Sequence, residues 1–186
     1  MIETHALNQL LLEAFSGKIT WLEASTKYPL DEFIASFHRT REVMQKTLVG
    51  LTDAQVAYII PREPMWSISE MVTHLIYSQN FYYNQLLDIT TSELPHLLEA
   101  AQGFGEGAKA NLPADVLREQ LNNATALIKV AIEKTQSTHK LEAIRDSTLF
   151  GKVNYPTWIL LLLGHEIDHV RQGIIMRRAA RTTIRS

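Results

Sequence analysis

The run Gly164-His165-Glu166-Ile167-Asp168-His169 places two imidazoles four residues apart. On an α-helix, residues at that spacing lie about 40° apart around the axis, so both rings project side by side and can close on one ion. The pair follows directly on Trp158–Leu163, the longest apolar run in the chain, where a buried imidazole needs a partner. A third imidazole, His74, falls between Met71 and Leu75 on the inward side of a predicted helix. Three imidazoles from two helices would hold one divalent ion and leave coordination positions open. Zinc, nickel and iron all suit such ligands. The alternative is three unrelated histidines with ordinary hydrogen bonds. Residue types and spacing leave both readings open.

Two other metal chemistries are weaker. His165-Glu166-Ile167-Asp168-His169 has the form H-E-x-x-H, the helix of zinc proteases. However, the 17 residues after His169 contain no His, Asp or Glu, so the usual third ligand is missing. A carboxylate-bridged di-iron bundle needs two Glu-x-x-His motifs. Glu166–His169 supplies one, but the second, Glu93-Leu94-Pro95-His96, contains a proline in a predicted loop.

The chain has no cysteine, which removes disulfides, thiolate ligands and a cysteine nucleophile. Three neutral imidazoles leave a bound ion its full charge, which lowers the pKa of a water or thiol on it. Glu166 and Asp168 flank the histidines as candidate catalytic bases, with exposure on the helix flank as the alternative. Gln172 shares the His169 face. Tyr77 and Ser78 follow His74 by one turn, as pocket lining or packing, and Trp66 reads as a packing anchor. His5, His38, His96 and His139 match no motif.

These residues need helices to hold them, and the apolar period is helical throughout. Residues 2–15 carry a stripe of Leu7, Leu10, Leu11 and Ala14, stopped at Gly17, and a short segment lies near Thr20–Ala24. The stripe is too apolar for a free tail and calls for a docking surface. Longer helices are predicted near 31–49, 67–88, 114–136 and 156–178. The first has Phe33, Phe37, Met44 and Leu48 on one face and Gly50 at its end. Ser67-Ile68-Ser69-Glu70 is a capping-box pattern that opens the second, whose inner side includes Met71, Leu75, Tyr82 and Leu86. The third has Leu117, Leu121, Ala124, Ile128 and Ala131 in line. Pro156 starts the fourth, and its first half is apolar all round, so it calls for burial on most sides. Residues 51–66, 89–113 and 137–153 read as connectors. A short helix is predicted over His96–Ala101, a mobile loop over Gly103–Gly107, and a turn at Gly151. The fold expected is all-α, a four-helix bundle with an extra N-terminal helical segment. Residues 1–30 form the extension and residues 31–186 the bundle, with the connectivity open.

A chain of 186 residues with 46% apolar residues can bury a single core without a staple, so a metal site would serve function rather than folding. The net charge of -2 argues against nucleic acid as a partner. Residues 171–186 nevertheless hold Arg171, Arg177, Arg178, Arg181 and Arg185 and no acid. That suits a solvated helix end whose arginines complement the dipole, in preference to contact with an acidic partner. The start shows no signal peptide, and no apolar run approaches a membrane span. A cytoplasmic location and no membrane partner are expected.

Trp66-Ser67-Ile68-Ser69-Glu70-Met71-Val72-Thr73-His74-Leu75, with His165-x-x-x-His169-x-x-Gln172 far downstream, resembles the DinB superfamily of metal-binding four-helix bundles. Gly50-Leu51-Thr52 before the tryptophan and Gly151 with Pro156-Thr157 before the histidine pair fit the same pattern. The resemblance covers roughly residues 31–178. It implies that His74, His165 and His169 are the metal ligands. It also implies a long crossover between the second and third bundle helices, which residues 89–113 can supply, and a homodimer. For function it implies a metal-dependent enzyme that transfers a low-molecular-weight thiol to a small electrophilic substrate. A hydrolase using metal-bound hydroxide and a non-catalytic binding bundle are the alternatives.

Overall fold

The computed structural model describes residues 2–61, 66–87, 112–136 and 141–184. Within them the chain forms α1 (Thr4–Phe15), α2 (Trp21–Ala24), α3 (Leu30–Leu48), α4 (Asp53–Val56), α5 (Ile68–Leu87), α6 (Ala114–Gln136) and α7 (Tyr155–Thr183). A small hairpin, β1 (Arg145–Ser147) and β2 (Gly151–Val153), precedes the last helix. The predicted helix over His96–Ala101, the Gly103–Gly107 loop and the Glu93–His96 motif lie outside the described residues. So do the side chains of Tyr82 and Leu86.

Local sequence sets the helix ends. Ser67 and Glu70 close the expected capping box: the Ser67 N–H donates to Glu70 Oε2 at 2.7 Å and the Glu70 N–H to Ser67 Oγ at 3.1 Å. The same device opens α4 with Thr52 and Gln55, inside the stretch read as a plain connector. Asn154 accepts from the Thr157 N–H at 3.0 Å, with Pro156 in the first turn of α7. Gly151 has φ +70°, a conformation open to glycine, and this allows the hairpin with Arg145 opposite Val153 and Ser147 opposite Gly151.

The helix contacts fix the connectivity that sequence left open. Around the bundle the order is α3, α7, α5, α6, so the consecutive helices α3 and α5 stand diagonally. Directions follow from individual contacts. The Leu112 N–H, just before α6, donates to Ser69 Oγ at the start of α5, and Gln79 bonds the Ala124 carbonyl one length further on. These two helices therefore run parallel, the relation a long crossover produces. In the α3–α7 pair, Arg41 meets Glu166 and Arg177 meets the carbonyls of Lys46 and Thr47, so these two are also parallel. Met71 lies at Gly173 and His74 at His165, which makes α5 antiparallel to α7.

The bundle holds two apolar clusters. One joins α1, α2, the first half of α3, the end of α6 and Trp158–Leu163 of α7. The other joins the end of α3, α4, α5, the start of α6 and the later part of α7. Between Phe37 and Met44 on α3 lies Arg41. Between Leu163 and Val170 on α7 lie His165, Glu166 and His169. A polar layer therefore separates the two clusters.

The last helix continues past Arg178 to Thr183 because the arginine-rich segment still has an apolar face: Met176 and Ala180 are buried. Arg177 donates to the last carbonyls of α3, at 2.8 Å to Lys46 O and 2.5 Å to Thr47 O. Gln55 holds the end of α7 by donating to the Ile184 carbonyl at 2.9 Å. None of the described helices is long and apolar enough to cross a membrane.

The N-terminal stripe docks on the bundle. Leu7, Leu10, Leu11 and Ala14 are buried in the same cluster as Trp158–Leu163. A Cβ at Gly164 would meet Leu11 Cδ2 at 3.0 Å and the Phe15 ring at 3.6 Å, so the missing side chain lets α1 approach α7. Leu11→Ala should cost about 2–3 kcal/mol, lowering Tm by roughly 5–10 °C, and deleting residues 1–28 should lower it further. Thermal melts followed by circular dichroism check this, and an unchanged Tm in both proteins would mean that α1 is not docked.

Candidate metal centre

The three histidines converge although two helices supply them. His74 projects from the second turn of α5, and His165 and His169 from consecutive turns of α7. His74 Nε2 lies 3.1 Å from His165 Nε2, which lies 3.2 Å from His169 Nε2. All three ligand atoms fit within 4.8 Å of one another. Two nitrogens bound to one tetrahedral zinc at about 2.0–2.1 Å would sit about 3.3 Å apart, so the spacing fits one ion. At this spacing the ring nitrogens can bond one another through an Nε2–H or turn their lone pairs together onto a cation.

Burial keeps the rings in the protonation state a metal needs. His74 is lowered from 6.5 to about 4, first by burial and then by the charge of His169. Burial, then His169, His74 and Arg41, bring His165 down to about 2. His169 is also lowered by burial, against opposing contributions from Gln172 and Asp168. The Gln172 Oε1 lies 3.0 Å from His169 Nδ1. An amide oxygen accepts, so Nδ1 carries the hydrogen and Nε2 presents its lone pair to the cluster. Ser78 Oγ lies 3.2 Å from His74 Nε2, inside the cluster. Trp66 does more than anchor the start of α5: its ring lies 4.6 Å from that of His74 and stacks at 6.0 Å, nearly parallel, on that of His169. It walls one side of the site with an apolar face.

The two carboxylates flanking the histidines differ in their surroundings. Glu166 is fully buried and forms an ion pair with Arg41, itself fully buried. Burial pushes its carboxyl up, against the pull of the guanidinium. Exposure on the helix flank, weighed for both residues, holds for Asp168 alone: its side chain is 57% exposed and lies 3.6 Å from Arg171. Among the described hydrogen bonds, neither carboxylate bonds a histidine of the cluster.

Arg41 is the site residue that motif reading missed. A signal was present: Phe33, Phe37, Arg41, Met44 and Leu48 follow one helical stripe, so Arg41 is a charge in an apolar row. A charge placed there must be buried with a counterion. Its guanidinium also lies 5.5 Å from the Phe37 ring centroid.

The neutral rings have a consequence for acid stability. An unfolded histidine takes up a proton near pH 6.5, whereas His74 and His165 in the fold do so only near pH 4 and 2. Below pH 6.5 the unfolded chain therefore binds more protons, and stability falls as pH falls. Chelator-treated protein should lose Tm steadily from pH 7 toward pH 4, and His165→Asn should flatten that decline. Melts across this range test it; equal slopes in the two proteins would show that His165 is not held neutral by burial.

A family model, that of the DinB superfamily, matches residues 36–172. The matched span contains Arg41, the capping box at Ser67, the three converging histidines and Gln172, and leaves α1 and α2 outside it. Neither a curated protein nor a solved structure matches the chain. With most of its length inside the family model, and with the helical bundle and histidine cluster in place, the chain belongs to the DinB superfamily.

Proposed function

We propose that this protein is a metal-dependent enzyme in which His74, His165 and His169 hold one divalent ion through Nε2, and that it joins a low-molecular-weight thiol to a small electrophile. The observation that carries the reading is the convergence of three neutral imidazole nitrogens, from two antiparallel helices, on a single point. Membership in a superfamily of metal-binding proteins supports it. When bound, the ion would supply a positive charge that neutral ligands leave undiminished, lowering the pKa of a thiol or water beside it.

The chain's own residues set the conditions around that charge. Gln172 fixes the His169 ring by accepting from Nδ1. Trp66 gives the substrate an apolar wall and keeps water from one side of the cluster. With no cysteine in the sequence, the sulfur has to come from outside. In the transfer a sulfur–carbon bond forms, the electrophile's leaving group departs with its electron pair, and the thiol proton is released. Asp168, exposed and close enough to His169 to influence its charge, is the better placed of the two carboxylates to take up that proton. Glu166 is occupied with Arg41.

Elemental analysis should find about one divalent ion per chain in the wild type and a large loss in His74→Ala. Full occupancy in that variant would break the cross-helix site even if the α7 pair still bound metal. With metal-loaded protein, a panel of thiols and small electrophiles should show conjugation that falls at least about 100-fold in His169→Ala. Equal rates in the two proteins would count against the transferase. Ester or amide cleavage without thiol would assign a hydrolase, and full occupancy without turnover of either kind a binding bundle.

A further inference from the structure

The first half of α7 presents no preferred face to the core. Trp158, Ile159, Leu160, Leu161, Leu162 and Leu163 are all buried, so apolar burial alone does not choose how the helix is turned about its axis. One residue of rotational slip would swing every side chain by about 100° and take His165 and His169 away from His74. The choice must come from contacts that tolerate only one residue at one place. Three such contacts are present. Gly164 admits Leu11 and Phe15, and Gly173 admits Met71, Met44 and Thr47. Glu166 meets Arg41 across the α3–α7 interface. The last is adjacent in sequence to His165.

A buried ion pair is an inefficient way to gain stability, because desolvation of both charges offsets most of their attraction. This pair is bonded through a single contact: Arg41 Nε and Nη1 and Glu166 Oε2 have no hydrogen-bond partner among the described residues. Two charges so held in the polar layer between the apolar clusters are poorly explained as a stabilising device. Their placement is specific, however, since a carboxylate at 166 can satisfy the guanidinium at 41 only while the neighbouring face of α7, which carries His165 and His169 about 60–100° away around the axis, is turned to α5. Pairing also keeps the Arg41 charge, which acts on His165, from standing uncompensated beside a cation site.

We propose that the Arg41–Glu166 pair is a positioning device that sets the rotation of α7 and so aims His165 and His169 at His74, with Glu166 serving as a positioning residue and not as a base. The inference rests on the metal reading of the histidine cluster.

The test is Arg41→Met/Glu166→Leu, which replaces the pair by apolar side chains of similar size. Cobalt(II) binding is measured by titration and by the visible spectrum, alongside wild type and His74→Ala. The imidazole nitrogen shifts of the metal-free proteins are recorded by NMR. The double variant should fold with a Tm equal to or above wild type. It should bind cobalt about 10–100-fold more weakly, with an altered spectrum and shifted His165 and His169 resonances. A folded double variant with wild-type affinity, spectrum and histidine shifts overturns the proposal. So does a double variant that fails to fold, because the pair would then be a requirement of the fold. Wild type that binds no cobalt, or binds it equally in His74→Ala, sinks the metal reading itself. The histidine shifts of the metal-free proteins then still decide whether the pair sets the rotation of α7.

Discussion

A helix that is apolar on every side can exist in water only if other chain segments surround it. That constraint on Trp158–Leu163 organises the molecule. The first half of α3, the end of α6 and α2 pack around this run, and α1 covers the side near Gly164. The packed N-terminal helix is thus explained by a need of the C-terminal one, although the family model begins only at residue 36. Burial of this kind contributes most of the driving force for folding, but it is non-directional. Orientation has to be added by contacts that burial does not provide.

Those contacts are polar or depend on shape, and they cluster where function is proposed. The layer of Arg41, Glu166 and the three histidines interrupts two apolar clusters that would otherwise join. Polar groups in such a position cost free energy unless paired. The ion pair, the Gln172 contact to His169 and the mutual approach of the ring nitrogens satisfy part of that demand. The three ring nitrogens lie within 4.8 Å of one another, close enough to hold one cation among them.

The arginine-rich end has a comparable logic. Read as charge, it suggests either a solvated helix terminus or an acidic partner. In the fold, Arg177 turns back to the carbonyls that end α3, so the charge acts at another helix's C-terminus and not only at its own. Its side chain ties together the parallel pair α3 and α7, whose ion pair lies further back along the same interface.

The sequence by itself determined the long helices and singled out His74, His165 and His169 as candidate ligands. Local rules govern both: the apolar period of 3.6, the Ser67–Glu70 capping box, Pro156 in the first turn, and the four-residue spacing of His165 and His169. It also implied the crossover through family resemblance, and the parallel run of α5 and α6 agrees. Where α7 ends was misread, because the arginines obscured an apolar face continuing through Met176 and Ala180. Tertiary structure alone decided which polar groups meet. Arg41 and Glu166 are 125 positions apart, and no local period connects them. The same holds for Trp66 stacking on His169 and for Leu11 lying against Gly164. Spacing along one helix tells which way a side chain points, but its partner depends on how separate helices cross, and that is fixed only when the whole core packs.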